Sequence, residues 1–320
     1  MKHRALRFSG ILFILAGLVL VSLGLGQYRD YYLLGKVVDP KNHPLEGVEI
    51  TLRDVATDRS YSIKTNKNGL FKFAGLPHGA YKVSFKKQGY AAKEDEWKFL
   101  SPQPSMEKVE IPPVVLASEE LIQEAKRLKE TEAAVRGAAE KIRLGDFDGA
   151  LAGLKGVLDK NPEEPNALYL SGLAHLKKGL ATEAEGELVR VTELAPKFAP
   201  AYYQLGVCHQ QLKAPEKALG DYARAMELDP TNPDSPFNAG LILFGLSRVG
   251  EALPLFEKTL LLRPDDPAAL EMTGRCYIHQ ANFPKAIECL EKAKAGYLQD
   301  ADKLKFLEAL INELREKIKK

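Results

Sequence analysis

Cysteine and tryptophan are nearly missing from this chain: its 320 residues hold three Cys and one Trp. The cysteines, Cys208, Cys276 and Cys289, are odd in number and all fall late, which excludes a disulfide framework. No C-x-x-C occurs, so a zinc ribbon or a thioredoxin-type pair is excluded as well. Excess charge of one sign is also lacking. With 45 Lys and Arg against 43 Asp and Glu, the net charge of +2 gives no reason to expect nucleic acid or a strongly acidic partner. HExxH, GxSxG, GxGxxG and the phosphate-loop pattern GxxxxGK are all absent, and with them the common hydrolase and nucleotide signatures. A composition 45% hydrophobic and 28% charged belongs to a folded chain. The expectation is a protein that is not an enzyme and uses no cofactor or metal.

What is present begins with a leader. Lys2, Arg4 and Arg7 precede the stretch Gly10 to Gly26, which carries no charge. Its apolar part, Ile11 to Leu25, is fifteen residues. A membrane-spanning helix needs about 20, and a signal h-region has roughly 7–15. Residues 1–26 therefore read as a signal peptide, cut before Gln27 after the small residues Gly24 and Gly26, or as an N-terminal anchor that attaches through residues 8–26. Either reading places the rest of the chain outside the cytoplasm, periplasmic or secreted.

From about residue 31 to 116 the hydropathy period becomes two. Val48, Ile50 and Leu52 alternate with polar neighbours, as do Phe71 and Phe73, then Tyr81, Val83 and Phe85. Asn68-Gly69 reads as a tight hairpin turn, since both residues accept positive φ. Several short strands in this length predict a small antiparallel β-sandwich. Pro112-Pro113 bars a central strand position there. Gly35 to Asp39, Pro44 to Val48, Asn68 to Phe73, Leu76 to Val83 and Gln88 to Tyr90 come in an order that resembles the carboxypeptidase regulatory-like domains. That resemblance implies a transthyretin-like fold and a non-catalytic accessory role. An isopeptide crosslink from Lys36 has no acceptor in the last apolar run, Val109 to Leu116. Glycan binding would use Trp97, Tyr61 and Tyr90 as exposed rings, and the expectation is that these rings pack on the sandwich instead.

After Ser118 the chain turns helical and repeats itself. Alanines stand at 150, 184, 218, 252 and 286, glycines at 172, 206, 240 and 274, prolines at 162, 196, 230 and 264. All three series have a period of 34. Period and residue types resemble the tetratricopeptide repeat, in five units: 131–164, 165–198, 199–232, 233–266 and 267–300. The fold expected is multidomain, the β-sandwich followed by an all-α solenoid of helix pairs A and B. Residues 118–130 are expected to cap its start and 301–320 its end. Within each unit, position 8 is small, position 20 is Ala, and position 24 is bulky: Leu154, Leu188, Tyr222, Phe256 and Leu290. Positions 8 and 20 should lie where helix A crosses helix B.

Helical spacing puts positions 5, 9 and 12 on one stripe of helix A. The resemblance makes that stripe the lining of a concave groove that binds a protein or peptide, an inference from fold to function. The candidate groove residues are Tyr169, Leu173, Leu176, Tyr203, Val207, Gln210, Phe237, Leu241, Phe244 and Arg275. The chaperone-binding members of that family clamp a C-terminal carboxylate with Lys at position 5 and Asn at position 9, and neither residue stands there in this chain. His175 and His209, both at position 11, are read as core imidazoles and not as stacked metal ligands, because no Asp, Glu or Cys is expected on their face. A cell-envelope carbohydrate-binding protein that uses the β-domain is the second reading of the whole chain, and a groove filled by the chain's own terminal helix is the alternative to an open one.

Overall fold

The computed structural model describes residues 32–99 and 108–319, and the predicted leader lies outside them. The chain divides into two compact units after Leu128.

In the first unit, two four-stranded sheets face each other. One is built on β1 (Tyr32–Val38), paired with β4 (Leu70–Ala74) and β7 (Lys108–Glu110), with β8 (Val114–Val115) further along β1. The other runs β3 (Ser60–Lys64), β2 (Glu49–Asp54), β5 (Gly79–Lys86), β6 (Lys93–Phe99). The alternation seen in the sequence sends Ile50, Leu52, Phe71, Phe73, Tyr81, Val83 and Phe85 into the shared core. All pairings are antiparallel except those of β7 and β8 with β1, which are parallel. Pro112 and Pro113 stand between β7 and β8 and split one edge into two short strands, because proline cannot donate to the ladder.

The turn at Asn68-Gly69 differs from expectation. It joins no hairpin: β3 belongs to one sheet and β4 to the other, so this turn carries the chain between layers. Gly69 alone takes the positive φ, +72°, and a Cβ there would stand 2.5 Å from the Val37 carbonyl oxygen. Close approach to β1, as much as turn shape, requires glycine.

The second unit is an array of helix pairs. Helix α1 (Glu119–Arg143) begins before the division and pairs with α2 (Phe147–Leu158). The following pairs are α3 (Pro165–Lys177) with α4 (Ala181–Leu194), α5 (Ala199–Gln211) with α6 (Pro215–Leu228), α7 (Asp234–Gly245) with α8 (Val249–Leu262), and α9 (Pro267–His279) with α10 (Phe283–Lys294). A 3-10 turn, Ala295–Tyr297, leads to α11 (Ala301–Lys319). Residues 119–130 run without a break into the first repeat helix. Leu307, Ile311 and Leu314 of α11 pack on Leu290 and Ala293 of α10 and close the far end.

One contact recurs through the array. The position 20 alanines and position 24 side chains are all fully buried. A Cβ added to Gly172, Gly206, Gly240 or Gly274 would meet the position 24 side chain of its own unit: Leu188 at 2.8 Å, Tyr222 at 2.5 Å, Phe256 at 2.8 Å, Leu290 at 2.9 Å. The large residue of helix B thus rests on the glycine of helix A. Gly206→Ala should therefore cost about 1–3 kcal/mol through overpacking. Gly220→Ala, on the exposed face of α6 with nothing within 4 Å of its Cβ, should instead gain roughly 0.5–1 kcal/mol. Urea unfolding of the two variants checks this; equal effects would refute the contact.

Candidate partner-binding groove

Positions 5 and 9 of the A helices lie side by side, and the structure fixes how their rings are held. Tyr169 meets the edge of Phe198 at a centroid distance of 5.1 Å, Tyr203 meets Tyr222 at 5.8 Å, and Phe237 meets Phe256 at 5.9 Å. Each ring is half-buried. Asn238 of α7 donates to the Tyr203 hydroxyl of α5 at 3.2 Å, which ties neighbouring units together. Burial pushes the Tyr169 and Tyr203 hydroxyls above the ordinary tyrosine range, so both stay neutral donors. Leu173, Val207 and Leu241 at position 9 are half-buried beside the rings.

Not every candidate residue belongs to this surface. Leu176 is 4% exposed and packs with Ala184, Leu188 and Leu205 inside the array, so it is core and not groove lining. Position 12 lies too far round the helix toward helix B at that unit. Gln210 is exposed and its side-chain oxygen accepts from the Tyr222 hydroxyl at 2.6 Å. Phe244 remains half-buried, edge-on to His279 at 5.4 Å.

Arg275 is not free either. Its guanidinium lies 2.7 Å from Glu271 and 5.5 Å from the Phe306 ring of α11. Glu271, at position 5 of the fifth unit, is 4% exposed, and its carboxylate also accepts from Lys303 at 2.9 Å and from the Tyr297 hydroxyl at 3.2 Å. Burial alone would raise this carboxyl, but Lys303 and Arg275 more than reverse it and hold it below the usual range. The aromatic row therefore ends where α11 begins. The packing of α11 is on α10 and the 3-10 turn, with Lys303 and Phe306 reaching α9. The sequence signal for this clamp was the change at positions 5 and 9 from Phe237 and Leu241 to Glu271 and Arg275, four residues apart on one helix face.

The two histidines also have partners that sequence reasoning missed. His175 bonds Glu187 at 2.8 Å, and His209 bonds Glu185 at 3.0 Å and Asp221 as well. Glu187 and Asp221 both occupy position 23 of helix B, so carboxylates share the imidazoles' face after all. They escape a reading of helix A alone because they arrive from the facing helix. Among the described residues no group of three or more His, Cys, Asp and Glu is disposed to hold a metal ion. Cys208, Cys276 and Cys289 are free thiols, and burial pushes Cys276 up to about 11. In the β-unit, Trp97 is buried and stacks 6.4 Å from Phe71, while Tyr61 and Tyr90 pack against the same core. Trp97 is thus closed off, and Tyr61 and Tyr90 are half-buried.

Comparison with known proteins accords with this architecture. The carboxypeptidase regulatory-like domain profile matches residues 33–109, and three tetratricopeptide repeat profiles match 137–197, 199–232 and 243–310. The chain joins a carboxypeptidase regulatory-like domain to a tetratricopeptide repeat array. Among solved structures, the crystal structure of MamA is 26% identical, covering 52% of this chain and 96% of that one, with a TM-score of 0.48. YrrB, described as a TPR protein with an unusual peptide-binding site, is 23% identical over 59% of this chain and 96% of its own, with a TM-score of 0.49. A thermophilic TPR protein from Thermus thermophilus is 22% identical over 57% of this chain and 98% of its own, with a TM-score of 0.42. A search of curated proteins returns no match.

The clamp at Glu271 gives a pH-dependent prediction. A carboxyl whose folded pKa lies below its unfolded value adds stability above the unfolded value, and that stability is lost as pH falls through the folded one. Glu271→Gln should cost about 1–3 kcal/mol near neutral pH. The gap between variant and wild type should close as pH drops below roughly 4. Melting curves across this range check it, and a gap that stays constant would refute the charge of Glu271 as the cause.

Proposed function

We propose that this chain is a non-catalytic, exported interaction scaffold that takes a protein segment along the aromatic stripe of its second to fourth repeat units. The observation that carries the reading is the row Tyr169, Tyr203 and Phe237, each ring half-buried and held by a second aromatic, edge-on at Tyr169 and Phe237 and tilted at Tyr203. Rings fixed before a partner arrives lose little freedom on binding, which is what makes aromatic anchors effective. Their neighbours Leu173, Val207 and Leu241 carry no charge, so the partner segment this surface fits is apolar on the side it presents. An amphipathic helix or an extended segment with spaced apolar side chains meets that need. Export rests on the basic residues Lys2, Arg4 and Arg7 before the uncharged run Gly10 to Gly26, and intact-mass analysis of the native protein for an N-terminus near Gln27, or for membrane retention with the leader whole, tests it.

The groove is tested with peptides selected from a displayed random library against the full chain, their affinities then measured by calorimetry. Phe237→Ala should weaken binding by about 5- to 150-fold. Because Phe237 also touches Phe256, Leu241→Lys serves as the second variant: it puts a charge on the stripe while the long side chain can turn outward. Both variants binding like wild type, each with its melting temperature unchanged, would refute the groove.

A further inference from the structure

The outer face of the β1 sheet is a basic cleft that the helical array's function does not use. In register, Leu34 of β1 stands between Lys72 of β4 and Glu110 of β7, Tyr32 lies beside Lys108, and Lys36 lies beside Leu70. Strand alternation puts all of these on the face turned away from the core. Lys64 enters from the edge of the other sheet, and together with Ile63, Ile111 and these residues it lines a cleft of about 680 Å³. Three lysines of this sheet, Lys36, Lys72 and Lys108, thus surround an apolar floor with one carboxylate, Glu110, which pairs with Lys108, and Lys64 stands at the rim on the strand where it neighbours Glu49. Among the described residues no carboxylate lies within ion-pair distance of Lys36, Lys64 or Lys72, and Lys72 sits 3.8 Å over the Tyr32 ring. Leu70, 47% exposed, projects from the same face. On the outer face of the opposite sheet Glu49 lies between Lys64 and Lys86, and Lys82 lies between Arg53 and Glu96, so cations and carboxylates stand side by side there.

We infer that this face docks on an anionic phospholipid surface, the ammonium groups of Lys36 and Lys72 meeting headgroup phosphates and Leu70 and Tyr32 entering the interface. Charge and apolarity on one patch fit a headgroup layer, which offers both. Reach favours the same occupant. Only residues 27–31 separate the end of the uncharged run at Gly26 from Tyr32, and five residues span at most about 18 Å. A leader held in a bilayer keeps the start of β1 within that distance of the headgroups. This inference does not depend on the groove of the repeat array.

The test uses the full chain with lysine acetylation read by mass spectrometry, in the presence of phosphatidylcholine vesicles or of vesicles in which about a third of the lipid is phosphatidylglycerol. Lys36 and Lys72 should lose several-fold in reactivity with the anionic vesicles alone, and 0.5 M salt should restore it (about the concentration at which screening is nearly complete). Lys82 and Lys98 on the other sheet serve as internal controls and should not change. Replacing Lys36 and Lys72 together by Ser should lower the charge-dependent part of vesicle binding by roughly 25-fold, about fivefold per lysine. A melting curve of that double variant matching wild type shows that the sandwich is intact. Equal reactivity with both vesicles would overturn the inference. Protection by an acidic polysaccharide such as polygalacturonate, with none from anionic vesicles, would overturn it in favour of a glycan ligand.

Discussion

A side chain resting on a glycine is the contact from which the helical array is built. In four successive units the residue at position 24 sits so close to the position 8 glycine that one further methyl group has no room. The buried alanine at position 20 lets the same two helices come together from the other side. With that crossing fixed, helix A must present its remaining faces in a set way: one to the next unit, one to solvent. The row of half-buried rings at position 5 follows in part from it, since Tyr203 and Phe237 lean on the aromatic residues at position 24, Tyr222 and Phe256, while Tyr169 leans on Phe198 just before α5. The candidate groove is therefore not a surface added to the scaffold. It is the visible side of the contact that makes the scaffold.

The repeat was legible because a 34-residue period needs no knowledge of partners: a small residue, an alanine and a proline recur, and steric demand is the same in each unit. The strands were legible for a similar reason, as one wet and one dry face impose a period of two. What escaped was of another kind. Asn68-Gly69 looked like a hairpin, yet it spans two sheets; local turn chemistry does not say which strands pair across it. Leu176 looked like groove lining because spacing along one helix does not show that Ala184 and Leu188 of α4 and Leu205 of α5 close over it. The carboxylates beside His175 and His209, and Lys303 beside Glu271, come from elements distant in sequence, and no window along helix A contains them.

Charge is used sparingly and in places that apolar contacts leave undecided. Glu271 would be a poor choice at a position that is aromatic in the three units before it, were it not for Lys303, Arg275 and Tyr297 around it. A buried carboxylate with satisfied partners rarely adds much net stability over a well-packed apolar group, but it permits only one arrangement of the elements that supply those partners. Here it sets where α11 begins against the last pair. The histidine bridges of the second and third units act between helices in the same way, and Glu185 reaches His209 across the boundary from one unit to the next.

The closure of the far end by α11 makes the array mechanically unequal along its length. Leu307, Ile311 and Leu314 give the last pair an apolar neighbour on its outer side, whereas the leading half of α1 leaves Leu121, Ile122 and Leu128 in solvent. In a linear stack each pair is held by the pairs beside it, so opening starts where one neighbour is missing. At the last pair the outer neighbour is α11, so the far end opens only when the core of Leu290, Ala293, Leu307, Ile311 and Leu314 comes apart.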